Sequence, residues 1–175
     1  MKPVTYRYCP LCAEEIGPQG PSGQNRHGCP ACGFVHFQDP KVAVVAVIPW
    51  QNRVLLIQRR FGPAKGRWAL PGGFMDAWEM PRDALAREVR EEVGLAVSPG
   101  ALLDILSMDD PDVGPIGIVI AYTALPISVP SEMLTVADDA AAARWFYPEA
   151  LPEGLAFRGT RRLIRLWQRG VIVPA

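Results

Sequence analysis

The sequence has no net charge, no long hydrophobic run and no cysteine beyond residue 32, and each absence narrows what the chain can be. Eighteen basic residues balance eighteen acidic ones among 175, so no overall field draws the protein to nucleic acid or to an anionic membrane surface. The longest apolar run, Val42 to Ile48, falls far short of the ~20 residues that a membrane-spanning helix needs. It suits a buried strand instead. The opening MKPVTYRYCP carries no apolar stretch of the kind that heads an exported chain, and the expectation is a soluble, cytoplasmic protein. Internal repeats and long linkers are also absent.

What is present argues for a folded core. Forty-nine per cent of residues are hydrophobic and 21% charged, ordinary values for a globular domain. The length allows one such domain with a small appendage. Composition changes near residue 38: Cys, Pro and Gly dominate before it, and strand and helix signals alternate after it. The expected division is a small module over 1–38 and a mixed α/β domain over 39–175. Within the latter, 41–48 and 53–60 read as strands joined by the turn Gln51-Asn52, and 68–73 as a short extended piece closing on Gly72-Gly73. A helix should begin near Pro81 and stop at Gly94. Further strands are expected over 101–108, 117–125 and 144–147, with the loop DDPDVGP after the first, and an amphipathic helix over 158–170.

The four cysteines form two Cys-x-x-Cys hooks, Cys9/Cys12 and Cys29/Cys32, with sixteen residues between the hooks. Four thiolates at this spacing suit tetrahedral zinc in a closed, structural site. The competing readings are two disulfides or a redox pair. A reducing compartment disfavours the first, and the second needs only one hook. His27 and His36 lie close by but are surplus to a site that four sulfurs saturate.

The segment Arg87-Glu88-Val89-Arg90-Glu91-Glu92 gathers three carboxylates on adjoining strips of one predicted helix, where like charges repel. Leu85, Val89 and Val93 form a separate apolar stripe that would face the core. A solvated charged face is the ordinary explanation for such a helix. The wider spacing overturns it: Gly73, five residues, Glu79, seven residues, then Arg87-Glu88-Val89-Arg90-Glu91-Glu92-Val93-Gly94-Leu95. This pattern resembles the Nudix box at every position. Average residue usage gives a chance match on the order of one in ten million. The resemblance covers residues 39 to about 170, and the hooks resemble those of zinc-ribbon-bearing Nudix hydrolases that include NADH and FAD pyrophosphatases.

The resemblance implies an α/β/α sandwich with a mixed sheet behind a zinc ribbon. It also implies a hydrolase that uses Mg²⁺ (or Mn²⁺) to cleave the diphosphate of a nucleoside diphosphate linked to another moiety. By position, Glu88 and Glu92 would be the main metal ligands, and Glu91 a further ligand or the base. The carbonyl of Gly72 would complete the metal shell, and Arg87 would orient a box carboxylate such as Glu79. Two departures stand out. Trp78 occupies a place where the family very often has glycine; it could stack on a base, although packing against the ribbon is favoured. Ala142 stands where a glutamate is common, so that Asp138, Asp139 or the loop acids Asp109, Asp110 and Asp112 would have to serve. Arg59 and Arg60 are candidates for a phosphate contact, while Arg158, Arg161, Arg162, Arg165 and Arg169 are read as a solvated face. The layout favours ADP-ribose, FAD or a related dinucleotide as substrate, with AMP released. The alternatives are a housekeeping hydrolase of damaged nucleoside triphosphates and a non-catalytic ligand-sensing or RNA-binding module. Near-zero net charge argues against a nucleic-acid partner, and the resemblance is compatible with a homodimer.

Overall fold

The computed structural model describes residues 6–17, 27–37, 39–110, 114–130, 134–137 and 139–172, with side chains at all of these except 109, 110, 114 and 115. The chain forms two compact units. One comprises Met1–Pro40 with Asp109–Ile116, the other Lys41–Met108 with Gly117–Ala175.

In the first unit, β1 (His27–Gly28) and β2 (Val35–His36) pair antiparallel. The two cysteine hooks have the same backbone geometry. Cys9 N–H donates to the Glu14 carbonyl at 2.7 Å and Ala13 N–H to the Cys9 carbonyl at 2.9 Å. Cys29 N–H likewise donates to Phe34 at 2.7 Å, and Gly33 N–H to Cys29 at 3.0 Å. Each hook closes on a left-handed residue, Ala13 (φ 62°) or Gly33 (φ 75°). Cys9, Ile16 and Cys29 form a small core with Phe34 against it. His27 and His36 face each other across the two strands, and His36 packs edge-on against Tyr6.

The remaining elements are β3 (Lys41–Val47), β4 (Pro49–Trp50), β5 (Arg53–Arg59), β6 (Trp68–Ala69), α1 (Pro81–Val93), β7 (Val97–Asp110), β8 (Gly114–Pro126), β9 (Ala140–Phe146) and α2 (Arg158–Gln168); all lie in the second unit except the end of β7 from Asp109 and the start of β8 up to Ile116. A 3₁₀ turn at Pro148–Ala150 precedes α2. β3 runs parallel to β8, which lies beside β7. β5 pairs antiparallel with β4, β6 and β9. Successive strand side chains point to opposite faces, and here both faces are covered. Val44, Ala46, Ile48, Leu55 and Ile57 pack with Leu85, Val89 and Val93 of α1. Val47, Val54, Leu56 and Leu70 pack with Leu163, Ile164 and Trp167 of α2. The expected mixed α+β fold is present, with a helix on each side of the strands.

α1 has its signals where the sequence puts them. Pro81 takes the first turn with Asp83, and Gly94 ends the helix in the left-handed region (φ 68°), its N–H on the Arg90 carbonyl. Four expectations need correction. The extended piece at 68–73 is a strand only over Trp68–Ala69, because Gly72 turns the chain at φ 136°. The expected loop at 109–115 is largely strand, with β7 reaching Asp110 and β8 starting at Gly114. β9 starts at Ala140 rather than 144, because pairing along β5 overrides the helical preference of its alanines. Arg161 is half-buried, not part of a solvated face, and its Nη1 donates to the Leu155 carbonyl at 3.1 Å. Among the described residues no helix is long and apolar enough to cross a membrane.

Leu85 is fully buried beneath the carboxylate-bearing face of α1. Leu85→Ala is expected to cost about 2–5 kcal/mol in urea unfolding. Arg165→Ala, on the exposed face of α2, should change stability by less than about 0.5 kcal/mol.

Candidate functional site

The site begins with a tight glycine turn packed against β3 and α1. The backbone after β6 folds back along β3: Ala46 N–H donates to the Pro71 carbonyl at 3.0 Å and Val44 N–H to the Gly73 carbonyl at 2.9 Å. A Cβ on Gly72 would strike the Val44 carbonyl oxygen, and one on Gly73 would strike the Glu88 carboxylate. Backbone approach requires glycine at 72, whereas a side chain at 73 would push the Glu88 carboxylate out of place. Glu92 lies beneath this turn with only 3% of its surface exposed, and its Oε2 accepts from the Gly72 N–H at 2.8 Å.

Arg87 gathers the remaining box carboxylates. It grips Glu79 in a fork, Nε to Oε1 and Nη2 to Oε2, both at 2.9 Å. Nη1 also reaches Glu88 Oε1 at 3.0 Å and Glu91 Oε2 at 2.9 Å, and Nη2 reaches the Phe74 carbonyl at 3.1 Å. The Arg87 guanidinium holds the Glu79 carboxyl below its ordinary range, against the opposing effect of desolvation. Glu92 moves the other way. Burial pushes it up to about 8, the Gly72 N–H pulls it down, and the charge of Glu88 raises it further.

Two more charges act on Glu92: Arg59 favours its ionised form and Asp139 opposes it. Asp139 is exposed, and its carbonyl accepts from Arg60 N–H at 2.7 Å, next to the register shift between Gln58 and Arg59. Ala137 N–H meanwhile donates to the Glu92 carbonyl at 3.1 Å. Ala142 lies opposite Gln58 in the β5–β9 ladder. Asp138 and Asp112 lie outside the described residues, as do the side chains of Asp109 and Asp110. Arg60 is exposed, with its guanidinium 6.0 Å from the Phe61 ring.

Trp78, expected to be covered, is exposed over its whole surface (104%), at φ 70°. Sequence reasoning missed Phe157. It opens α2 at φ 50° and ψ 147°, bordering the region essentially reserved for glycine, at a cost of about 1–3 kcal/mol. Nothing in the residue type signals such a conformation.

In the first unit, the ligand atoms of Cys9, Cys12, Cys29 and Cys32 all lie within 4.8 Å of one another. Sγ–Sγ distances are 3.6 Å for Cys9–Cys32 and 3.5 Å for Cys12–Cys29. Tetrahedral Zn–S bonds of about 2.3 Å imply sulfurs about 3.8 Å apart, so the four thiols are compatible with a zinc ribbon. Burial opposes the Cys9 thiolate, but the N–H groups of Leu11 and Cys12, together with the Cys32 and Cys12 thiols, outweigh this and bring it down to about 7. Among the described residues this is the only group of three or more such ligands so closely gathered.

Comparison with known proteins gives the family. The NUDIX domain profile matches residues 39–167. The chain belongs to the Nudix family. A Methanocaldococcus jannaschii protein named ADP-ribose pyrophosphatase is 41% identical over 121 residues, covering 69% of each chain. The NAD-capped RNA hydrolase NudC of Stutzerimonas stutzeri is 26% identical over 148 residues, covering 84% of this chain and 50% of that one. This Nudix chain therefore spans about half the length of that relative. A solved NUDIX hydrolase from Nitrosomonas europaea superposes with a TM-score of 0.82 at 28% identity, covering 94% of this chain and 91% of that one. The enzyme class expected from the sequence agrees with these Nudix relatives.

Glu92 also predicts how stability should depend on pH in the metal-free protein. Its folded pKa lies above the ordinary 4.5, so the folded state retains a proton that the unfolded chain releases. Stability from this group is full below about pH 4.5 and is lost as pH rises through about 8. Urea unfolding between these limits should show wild-type stability falling with pH and Glu92→Gln removing that fall. Equal slopes in the two proteins would contradict the assignment.

Proposed function

We propose that the protein is a divalent-metal-dependent diphosphatase acting on a nucleoside diphosphate linked to another moiety, with ADP-ribose, FAD or a related dinucleotide as substrate and AMP as product. The observation that carries this reading is the buried Glu92 carboxylate, fixed by the N–H of Gly72, a residue whose Cβ would strike the β3 backbone. Burying such a group without a cation is costly. The name of the 41%-identical relative, ADP-ribose pyrophosphatase, supports the substrate class.

Glu88, Glu91 and Glu92, with the Gly72 carbonyl, offer the hard oxygen donors that Mg²⁺ or Mn²⁺ takes, so the donor set fits the ion. When bound, the metal supplies an activated water and offsets diphosphate charge. Glu92 is positioned by its bond to Gly72, which leaves its second oxygen for a ligand. Glu88 lies directly over Gly73. Arg87, anchored by its fork on Glu79, orients Glu88 and Glu91. Glu91 is the most exposed of these carboxylates at 47%, which suits a base that must meet water. Asp139, within electrostatic reach of Glu92, is the acid we assign in place of the glutamate absent at Ala142. Arg59 is the candidate for a phosphate oxygen. The four cysteines are assigned to a structural zinc, making residues 1–38 a ribbon in front of the Nudix domain.

One observation favours a second reading, in which the moiety beyond the diphosphate is RNA. Arg158, Arg162, Arg165 and Arg169 are all exposed, at spacings that place them on one face of α2, although Arg162 also reaches Asp104 at 2.9 Å.

The deciding experiment is product analysis with Mg²⁺ on ADP-ribose, FAD, NADH, 8-oxo-dGTP and an NAD-capped oligonucleotide. AMP should appear from ADP-ribose or FAD. Arg87→Ala should lower kcat by about 10- to 100-fold, and Glu92→Gln by more. Preference for the triphosphate or for the capped oligonucleotide would replace the leading reading, and turnover untouched by Glu92→Gln would refute the site. Elemental analysis should separately find one zinc per chain, whose removal by a chelator exposes four reactive thiols. Four thiols already reactive in zinc-free, folded protein would overturn the ribbon assignment.

A further inference from the structure

Arg59 and Phe157 form a pair that the box chemistry leaves unexplained. Arg59 is the last residue of β5 and is half-buried. Its Nε donates to the Pro63 carbonyl at 2.9 Å, and among the described residues no carboxylate pairs with its guanidinium. That guanidinium lies 5.1 Å from the Phe157 ring centroid, and its charge is felt at the buried Glu92. The pair thus links the carboxylate site to an aromatic ring.

Phe157 itself is 45% exposed, so the ring gains little from burial to offset its backbone strain. The neighbouring chain is firmly held: Ala156 N–H donates to the Trp68 carbonyl at 2.7 Å, Trp68 N–H to the Gly154 carbonyl at 2.9 Å, and Arg161 N–H to the Phe157 carbonyl at 3.3 Å. Trp68 belongs to β6, the strand that leads into the Gly72–Gly73 turn. Strain kept at a partly solvated aromatic, when glycine would be cheaper, points to use of the ring.

We propose that Phe157 and Arg59 form the nucleoside end of the site. The free face of the Phe157 ring stacks an aromatic base, and the Arg59 guanidinium takes an oxygen of the diphosphate attached to that nucleoside. This rests on the diphosphatase reading and deepens it: the ligand is a nucleoside 5′-phosphate unit, recognised by its base's π-face together with its charge. The guanidinium covers one face of the ring at 5.1 Å, and a base stacked at the ring-to-ring spacing of about 4.5–7 Å would take the other, its 5′-phosphate turned round the ring edge toward Arg59. Stacking of this kind tolerates different bases.

The test combines Phe157→Ala, Phe157→Gly and Phe157→Tyr, with ADP-ribose kinetics, thermal melts and calorimetric binding of AMP and ribose 5-phosphate. Alanine should raise KM by about 5- to 150-fold and lower kcat much less. Tyrosine should retain the wild-type KM. Glycine should raise Tm by about 2–4 °C through relief of strain while losing affinity as alanine does. A residue of purely structural importance would not move stability and affinity in opposite directions. Wild type should bind AMP more tightly than ribose 5-phosphate, and Phe157→Ala should close that gap. If KM and the AMP preference are unchanged in the alanine and glycine variants, the proposal fails. If wild type turns over no diphosphate, the diphosphatase reading fails by itself. The AMP comparison still decides whether Phe157 stacks a base.

Discussion

The close approach of the Gly72–Gly73 backbone to β3 and α1 is the constraint on which the carboxylate site depends. Two hydrogen bonds tie the turn to β3, and the Gly72 N–H ties it to Glu92. Any side chain at either glycine would meet a backbone carbonyl or a carboxylate. The turn therefore fixes the height of α1 above the strands. Val44 contributes to both sides of this arrangement: its backbone holds the turn, and its side chain packs in the core with Leu85 and Val89. Precision at the site is borrowed from the packing of the sheet.

Electrostatics divides the box helix into two environments. Glu79, Glu88 and Glu91 share Arg87, whose rigid fork matches carboxylate geometry. Glu92 has no such partner. It has one backbone donor and a mostly apolar surrounding, with Ala84, Leu85, Val89 and Val93 buried on the same helix. The result is one carboxylate, Glu92, that resists ionisation on the same site as Glu79, which Arg87 keeps charged. The crowding of like charges is eased within the chain for one group and left uncompensated for the other.

Much of this was legible in the sequence, for identifiable reasons. Pro81 and Gly94 mark the helix ends because one fits the first turn and the other a left-handed cap. The burial of β3 on both faces follows from an unbroken run of valine and alanine. The extent of β9 was hidden, since four alanines carry no strand signal and only the β5 ladder makes them extended. Trp78, Phe157 and Ala13 adopt positive φ although they are not glycines, and residue type gives no warning of that. The reach of Arg59 toward Glu92 was also unreadable, because it depends on how the end of β5 meets α1 across the fold rather than on any spacing along the chain.

The strand pairing carries a consequence for how the molecule is made. Lys41 pairs with Gly117 in the parallel ladder, and Val54 with Phe146 in the antiparallel one. The ladders that support the box turn therefore join segments far apart along the chain, and folds dominated by such contacts form slowly because loop closure must precede any gain from pairing. During synthesis β3 and β5 emerge long before β8 and β9. Until those strands arrive, the hydrophobic runs of β3 and β5 have no lasting cover, which makes the half-made chain the stage most exposed to aggregation and most in need of a chaperone.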